Sequence, residues 1–358
     1  AGVAPRPPAA VAARGLVVGR ETALSALQQC WAQAQQGVRQ MVMVTGEAGI
    51  GKTTLVDRFV AQVRATATLW LARGQCIEQH GAGEAYLPLL EALGRLGRGP
   101  QGAHLVAVLQ QYAPSWLLHL PALVAADVYE SLQRRAGGTT RERMLRELAE
   151  AVEVVTAERP LVLVLEDLHW SDYATLDLLA VLARRQEAAR LLVLGTYRPV
   201  DALQASHPVH TMFQELQRRS LSTELHLDYL SEASVFSYVS KRCGGMSVPE
   251  GLSPLLHQRT NGNPFFLTIL MDEVMRQGIL HAGDGQWALA SDLVTLDIGV
   301  PESLRRLIEQ QLEQVAPEDQ KLLEAASVIG KEFSVAALAV GVEQGVEDVE
   351  TRCAAWAR

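Results

Sequence analysis

A lysine followed by two threonines closes a glycine-rich segment that comes directly after an apolar run. The segment matches the pattern GxxxxGK[ST], and its residues are Gly46, Glu47, Ala48, Gly49, Ile50, Gly51, Lys52 and Thr53. In such a loop, backbone N–H groups point at phosphate oxygens, and the following helix adds its positive N-terminal end. We predict that Lys52 reaches the β- and γ-phosphates and that the Thr53 hydroxyl serves Mg²⁺, while Thr54 packs or makes a minor phosphate contact. The alternative, a glycine-rich turn without a ligand, does not account for the complete strand, loop and helix context.

Two carboxylates end the second prominent apolar run, LVLVLED, at Glu166 and Asp167. A P-loop protein places a metal-linked carboxylate and a water-orienting acid at this position. We expect one of them to bind Mg²⁺ through water and the other to polarise the attacking water. Because the order Glu-Asp departs from the commoner Asp-Asp or Asp-Glu, the sequence leaves their division of labour open. An exposed acidic turn after a core strand is the alternative.

A third candidate is Arg198, which follows the run LLVLGTY at the strand end where open α/β sheets bind ligands. An arginine there can sense a γ-phosphate, although a surface arginine before Pro199 is also compatible with the sequence. His169 is expected to be structural, since a lone histidine beside a tryptophan is more often that than a base. Arg184 and Arg185 are expected to end a helix, whose C-terminus favours positive charge.

The apolar runs that precede these groups predict a parallel sheet covered by helices, which is an α/β fold. They are nearly continuous in apolar residues, as strands buried on both faces are. The predicted strands are Met41–Thr45, Thr68–Ala72, Leu161–Leu165, Leu191–Thr196 and a weaker one at Glu224–Leu227. No role can be assigned to the mostly helical insert at residues 86–138.

Helical and turn signals divide the rest of the chain. Apolar spacing predicts a helix over Thr140–Thr156 with charged residues, Glu147 among them, facing outward. Helices at Glu232–Arg242 and Pro264–Gln277 suggest a small lid, and Asp284-Gly285 marks a tight hairpin turn. Further helices are expected to begin at Pro301 and Pro317, and Gly330 is expected to end one.

The composition limits the partners. The net charge is -8, so this segment is not expected to contact nucleic acid directly. The apolar runs are too short to cross a bilayer, and we expect a cytoplasmic protein with no membrane partner. Residues 1–14 resemble an interdomain linker, and we expect the natural chain to be longer at both ends.

Several motifs in one order carry a family resemblance. They are VGRE, GEAGIGKTT, EDLHWSD, GTYRP, GNPFFL and the segment VPESLRRLIEQQLEQVAPEDQKLLEAASVIGKEFS. With them the chain resembles the STAND class of AAA-like ATPases, in particular the large bacterial regulators that include LuxR-type ATP-binding activators. The resemblance covers nearly the whole chain. In that family the ATPase core commonly lies between an effector domain, often DNA-binding or a cyclase, and C-terminal helical repeats.

The resemblance implies roles for further residues. Val18, Gly19 and Arg20 would line the adenine and ribose side, Pro264 would pack on the nucleotide, and Arg198 would be the sensor. The implied fold is a P-loop NTPase with a parallel sheet and flanking helices, followed by a helical lid and a winged-helix-like domain. The expected division is a linker at 1–14, a nucleotide-binding domain at 15–229, a lid with a small hairpin at 230–298 and an incomplete winged-helix-like domain at 299–358.

Three functions are compatible with these residues. The first is a signalling switch that is closed with ADP, opens with ATP for self-assembly or protein partners, and resets by slow hydrolysis. The second is a P-loop kinase or metabolic ATPase, for which no acceptor pocket can be named. The third is a nucleotide-locked scaffold that does not hydrolyse ATP. ATP is favoured over GTP in each case, since no NKxD-like element is present.

Overall fold

The computed structural model describes residues 16–78, 84–136, 138–282, 287–289, 305, 308–309, 312, 315–330 and 333–356. Its contacts divide the chain into two compact units, Ala1–Phe265 and Phe266–Arg358. The predicted linker at residues 1–14 and the helix start at Pro301 lie outside the described residues. Among the residues that are described, no helix combines the length and apolar character that a bilayer crossing requires.

The first unit alternates strands and helices, as the sequence predicts. Its strands are β1 (Gln40–Thr45), β2 (Trp70–Gln75), β3 (Leu161–Glu166), β4 (Leu191–Tyr197) and β5 (Thr223–His226). Its helices are α1 (Glu21–Gln35), α2 (Lys52–Thr66), α3 (Leu87–Gly97), α4 (Gly102–Tyr112), α5 (Pro114–Leu117), α6 (Ala126–Ala136), α7 (Arg141–Glu158), α8 (Tyr173–Arg184), α9 (Pro199–Gln204), α10 (Val209–Arg218), α11 (Glu232–Arg242) and α12 (Leu252–Thr260). Helix α13 (Pro264–Arg276) begins at the end of this unit, and short 3₁₀ turns lie at Pro121–Leu123 and Leu168–Trp170.

The five strands form one parallel sheet in the order β2-β3-β4-β1-β5. Parallel strands end at the same edge, so the loops after β1, β3 and β4 are neighbours although they are far apart in sequence. The predicted α/β class with a parallel sheet is confirmed. The predicted phosphate loop, acidic pair and arginine all lie at this carboxyl edge, where ligands of open α/β sheets bind.

Both faces of the central strands are buried, which explains their continuous apolar sequence. In β1, Met41 and Met43 face one core, together with the insert helices. Val42 and Val44 face the other core, which α1 and α2 complete. Because side chains alternate between faces along a strand, a strand covered on both sides must be apolar at every position.

The insert between β2 and β3 is folded onto one face of the sheet as α3 to α7. Its longest helix, α7, carries one error of the sequence analysis, because Glu147 is buried and does not face outward. Its carboxylate accepts hydrogen bonds from the Ser115 backbone N–H at 2.9 Å and from Arg143 Nε at 2.8 Å. These two donors satisfy the carboxylate, which removes the penalty that burial of an unpaired charge carries.

The second unit is smaller. Its strands β6 (Leu280–Ala282) and β7 (Trp287–Leu289) pair antiparallel, as the predicted hairpin requires, although the turn at Asp284-Gly285 lies outside the described residues. Further along, the described residues include helices at Pro317–Ile329, Val335–Gly341 and Val346–Trp356. Pro317 begins the first and Gly330 ends it, as predicted. Leu322, Leu338 and Val349 form their common core.

Candidate functional site

The predicted phosphate loop connects β1 to α2, and α2 begins at Lys52. Its three glycines, Gly46, Gly49 and Gly51, all have positive φ. Gly51 precedes the helix with φ +96°, a left-handed conformation that side chains rarely adopt. At Gly46, with φ +139°, an added Cβ would lie 2.7 Å from the Leu227 carbonyl oxygen. The loop therefore keeps its backbone close to its neighbours, with the N-terminus of α2 directly behind it.

Lys52 is buried, and its ammonium closes the loop on itself. Its Nζ donates to the carbonyl oxygens of Gly46 at 2.7 Å and Glu47 at 2.8 Å. Burial, followed by the positive charge of Arg198, lowers the pKa of Lys52 to about 8. The carboxylates of Asp167, Asp201 and Glu47 counter this lowering only in part, and an anion placed in the loop would add further negative charge beside the ammonium.

The first turn of α13 and the residue before it hold the phosphate loop from outside. Asn263 Nδ2 donates to the Ala48 carbonyl oxygen at 3.3 Å, and the Phe265 N–H donates to the Gly49 carbonyl oxygen at 3.2 Å. An added Cβ at Gly49 would lie 2.8 Å from the Phe265 Cβ. Pro264, predicted to pack on the nucleotide, therefore lies in sequence between two residues that contact the loop.

The N-terminal segment contacts the same loop. Arg20 Nη2 donates to the Ile50 carbonyl oxygen at 3.1 Å. Val18 is buried, and an added Cβ at Gly19 would lie 2.3 Å from the Ser234 Oγ of α11. The predicted adenine and ribose segment thus lies between the phosphate loop and α11.

Glu47, the one acidic residue of the phosphate loop, has a partner far along the chain. Its carboxylate accepts a hydrogen bond from the Tyr229 hydroxyl. This contact raises the pKa of Tyr229 to about 12, because the carboxylate disfavours the phenolate. Together with the contacts from Arg20, Asn263 and Phe265, it means that residues 47 to 50 are each held by a group from outside the loop.

The first acid of the pair, Glu166, contacts the phosphate loop directly. It is buried, and its Oε2 accepts a hydrogen bond from the Thr53 hydroxyl at 2.6 Å. Its Oε1 accepts a hydrogen bond from Arg73 Nε at 2.7 Å, and Arg73 also pairs with Asp57 at 2.6 Å. Glu166 is therefore oriented from two sides, and its Oε2 lies beside the Thr53 hydroxyl that is predicted to bind Mg²⁺.

The second acid, Asp167, leaves the strand in a different direction. Its backbone is left-handed, with φ 56°, and its N–H donates to the Thr196 hydroxyl at 3.0 Å. Its carboxylate is near enough to Lys52 for its negative charge to counter the lowering of the lysine pKa. The two acids consequently serve different neighbours: Glu166 faces Thr53, and Asp167 lies toward Lys52.

Arg198 and His169 meet at one carboxylate that the sequence analysis did not consider, that of Asp201. Arg198 Nη1 lies 3.0 Å from Asp201 Oδ2, and His169 Nε2 lies 3.6 Å from the same oxygen. The His169 side chain is 1% exposed, and neither ring nitrogen makes a hydrogen bond to a described residue. Burial, partly countered by Asp201, lowers the pKa of His169 to about 4. Its ring is neutral at pH 7.

The oxygen donors at the site suit a magnesium ion that is bound mainly by a nucleotide. Thr53 offers a hydroxyl and Glu166 a carboxylate, and Mg²⁺ prefers hard oxygen ligands. Among the described residues, no three acidic, histidine or cysteine side chains gather as a metal site of their own. In P-loop sites, Mg²⁺ is typically held by one or two side chains plus phosphate oxygens, which matches this donor set.

Sequence reasoning found most of the groups that the sheet edge brings together. Lys52, Thr53, Glu166, Asp167 and Arg198 all lie there, and Thr54, the next residue in the first turn of α2, is exposed as Thr53 is. The residues it missed are those that hold these groups in place: Arg73, Asp201, Tyr229 and Asn263. Two of them could have been noticed in the sequence: Arg73 is a charged residue within a strand, and Asn263 belongs to the motif GNPFFL.

Known proteins with a similar fold or sequence include ATPases. The Walker-type ATPase of Pyrococcus abyssi is 15% identical with a TM-score of 0.50, and the match covers 91% of this chain and 88% of that one. A Signal Transduction ATPase with Numerous Domains (STAND) protein with a tetratricopeptide repeat sensor, from Pyrococcus horikoshii, is 16% identical with a TM-score of 0.42, covering 90% of this chain and 36% of that one.

A relative in sequence is an uncharacterized protein of Rhizobium meliloti (strain 1021), 30% identical over 220 residues. The match covers 56% of this chain but only 21% of that protein, so the chain spans about a fifth of the relative's length. The sequence profile of the AAA ATPase domain matches residues 16–194, a range that contains the phosphate loop, Glu166, Asp167 and β4 up to Leu194. The chain therefore belongs to the AAA ATPase domain family.

Proposed function

We propose that this chain is the nucleotide-driven switch of a larger regulator, a STAND-type core that binds ATP and ADP with Mg²⁺ and hydrolyses ATP slowly. The observation that carries the proposal is the 2.6 Å hydrogen bond from Thr53 to Glu166, which joins the first turn of α2, directly after the phosphate loop, to the end of β3. An ordinary glycine-rich turn has no need for a buried carboxylate beside its helix start. A Mg²⁺-nucleotide site does, because both oxygens serve the cation.

The contacts of the two acids favour one division of labour. Glu166 serves Mg²⁺ together with Thr53, since their side chains already touch. Asp167 then orients the attacking water on the side of Lys52. When bound, Mg²⁺ neutralises charge on the phosphate oxygens. An aspartate reaches one methylene less far than a glutamate, which accords with slow hydrolysis.

The switch requires that ATP and ADP differ in affinity for two states. Arg198 is the residue we assign to reading the γ-phosphate, and Asp201 holds it at 3.0 Å. The segment of Asn263, Pro264 and Phe265 is assigned to the lid, since it contacts the phosphate loop. Val18, Gly19 and Arg20 are assigned to the adenine and ribose side.

The wider assignments rest on the motif resemblance. We propose domains at 15–229 for nucleotide binding, 230–298 for the lid and 299–358 for a winged-helix-like part, with a linker at 1–14. The regulator is proposed to act in transcription in the cytoplasm, with DNA contacted by another domain, and to bind protein partners or itself in the ATP state. A non-hydrolysing scaffold is the second candidate, supported by the short side chain of Asp167.

Phosphate release separates these candidates. We expect slow, Mg²⁺-dependent release from the wild type. Asp167→Asn should lower the rate by a factor on the order of 10² or more while ATP still binds, because it removes the water-orienting acid. Glu166→Gln should instead raise the Mg²⁺ concentration needed for half-maximal nucleotide binding.

Three results would oppose the proposal. Phosphate release no faster than that of Lys52→Ala would favour the scaffold. Release that requires an added small-molecule acceptor would favour a kinase. A normal Mg²⁺ requirement in Glu166→Gln would contradict the division of labour.

A further inference from the structure

His169 is a buried polar side chain to which the proposed function gives no role. It lies in the 3₁₀ turn Leu168–Trp170, directly after the two acids at the end of β3. Its side chain is 1% exposed, and throughout the described part of the chain neither ring nitrogen has a hydrogen-bond partner. Buried polar groups in native proteins are nearly always hydrogen-bonded. The ring is therefore a candidate for a partner that it meets in another state of the protein.

One carboxylate lies beside both this ring and the proposed sensor arginine. Asp201, in the first turn of α9, has its Oδ2 3.0 Å from Arg198 Nη1 and 3.6 Å from His169 Nε2. The first distance is that of a hydrogen bond, and the second is longer than one. A movement of about 0.6 Å would bring the ring to a normal hydrogen-bond distance. The same oxygen is thus paired with Arg198 and lies just out of reach of His169.

The ring can supply the donor that such a bond requires. A neutral imidazole carries one N–H, and the hydrogen bond of the other nitrogen usually decides which nitrogen holds it. Among the described residues, Nδ1 of His169 meets no partner that fixes it in this way, so the proton can reside on Nε2. The Arg198 side chain is 36% exposed and can turn away without opening the core. A change of donor at Asp201 therefore requires little repacking.

We propose that His169 is a positioning residue for the response to ATP: when Arg198 leaves Asp201 for the γ-phosphate, His169 Nε2 takes its place as the hydrogen-bond donor to Asp201. The inference rests on the proposed function, in which Arg198 reads the γ-phosphate. Without a second donor, the move of Arg198 would leave a partly buried carboxylate unpaired, which is costly. With ADP, Arg198 stays on Asp201 and the histidine bond does not form. His169 therefore adds to the affinity for ATP and not to that for ADP.

The test is the ratio of two affinities of the full chain. Competition binding with Mg²⁺ measures ADP and the non-hydrolysable ATP analogue adenylyl imidodiphosphate. His169→Phe keeps a ring but has no donor, so we expect the ATP analogue to bind about 3- to 10-fold more weakly, because one hydrogen bond is lost. The affinity for ADP should be unchanged. His119→Phe, at an exposed position, is the matched control and should change neither affinity.

Two amide variants separate a hydrogen-bond donor from a side chain that only fills space. A glutamine can place its Nε2 where the histidine Nε2 lies, whereas an asparagine is one methylene shorter and reaches only the position of Nδ1. His169→Gln should therefore keep the wild-type ratio of ATP-analogue affinity to ADP affinity, and His169→Asn should lower it as His169→Phe does. Because both amides are polar and neither titrates, this comparison decides the matter even if His169→Phe does not fold.

Removal of the acceptor completes the test. In Asp201→Ala no carboxylate is left to receive the bond, so adding His169→Phe should lower the ratio no further. The inference is overturned if His169→Phe leaves the ratio unchanged, if the two amides give the same ratio, or if the effect of His169→Phe persists in Asp201→Ala. Arg198→Ala tests the proposed function separately. An unchanged ratio in that variant would overturn the role of Arg198 and the exchange with it, whereas a lowered ratio there beside an unchanged one in His169→Phe overturns the inference alone.

Discussion

His169 provides a prediction whose size follows from its surroundings. The ring is buried, and the charges of Arg198, Lys52 and His207 also oppose a further positive charge there, whereas Asp201 favours it. The pKa of His169 falls from 6.5 to about 4 in the folded protein. The unfolded chain therefore takes up the proton first as the pH falls, so acid favours unfolding at this residue.

The pH window and the magnitude are both fixed by these two values. Above pH 6.5, the pKa of His169 in the unfolded chain, the ring is mostly neutral in both the folded and the unfolded protein, so its protonation does not lower the free energy of unfolding. Between pH 7 and pH 5 the free energy of unfolding should fall by about 2 kcal/mol from this residue, and the full loss near pH 4 is about 3 kcal/mol.

The assay is urea unfolding at pH 7 and pH 5 for the wild type and His169→Gln, whose amide does not titrate. The difference in unfolding free energy between the two proteins should shift by about 2 kcal/mol in favour of the variant at pH 5. His119→Gln, at an exposed position, controls for the loss of an imidazole. Equal pH dependence of the wild type and His169→Gln would refute the reasoning, as would an NMR titration of the His169 ring near pH 6.5.

Three other predictions concern the site and its support. Asp201→Asn releases Arg198, so we expect the ratio of ATP to ADP affinity to rise several-fold in competition binding, and an unchanged ratio would contradict the role assigned to Arg198. At pH 8.5 much of Lys52 is neutral, and bound phosphate should raise its pKa, so nucleotide binding should take up a proton that it does not take up at pH 6.5. Calorimetry in buffers of different ionisation enthalpy measures this uptake, and equal heats in all buffers at pH 8.5 would contradict the prediction. Gly195→Ala should lower the unfolding free energy by about 1–3 kcal/mol in urea, since its Cβ would lie 2.5 Å from the Met43 Sδ, and a neutral effect would show that this core can move.

The central strands could be predicted because both of their faces are covered. β1, β3 and β4 are apolar at nearly every position, so their bounds were found within a residue or two. β2 was placed too early, at Thr68–Ala72 against the observed Trp70–Gln75, because its later residues are polar. β2 is an edge strand, and its side chains alternate between buried and partly exposed, which allows Arg73 to reach Glu166.

The candidate site likewise combines residues from one contiguous motif with residues that are distant in sequence. The phosphate loop is a contiguous motif, and its chemistry follows from residue types alone. The partners of its residues are distant in sequence: Tyr229 lies 182 residues from Glu47, and Asn263 lies 215 residues from Ala48. Such contacts depend on how the chain folds back, which no local pattern contains. The separate surroundings of Glu166 and Asp167 likewise follow from one left-handed residue at the end of β3.

The most direct test of a nucleotide switch is the affinity of this chain for ADP and ATP with Mg²⁺, measured for the wild type, Lys52→Ala and the exposed control Lys321→Ala. Lys52 is the buried ammonium that closes the phosphate loop, so the account predicts tight binding by the wild type and the control and loss of binding in Lys52→Ala. Undiminished affinity in Lys52→Ala, or no nucleotide binding by the wild type, would contradict it.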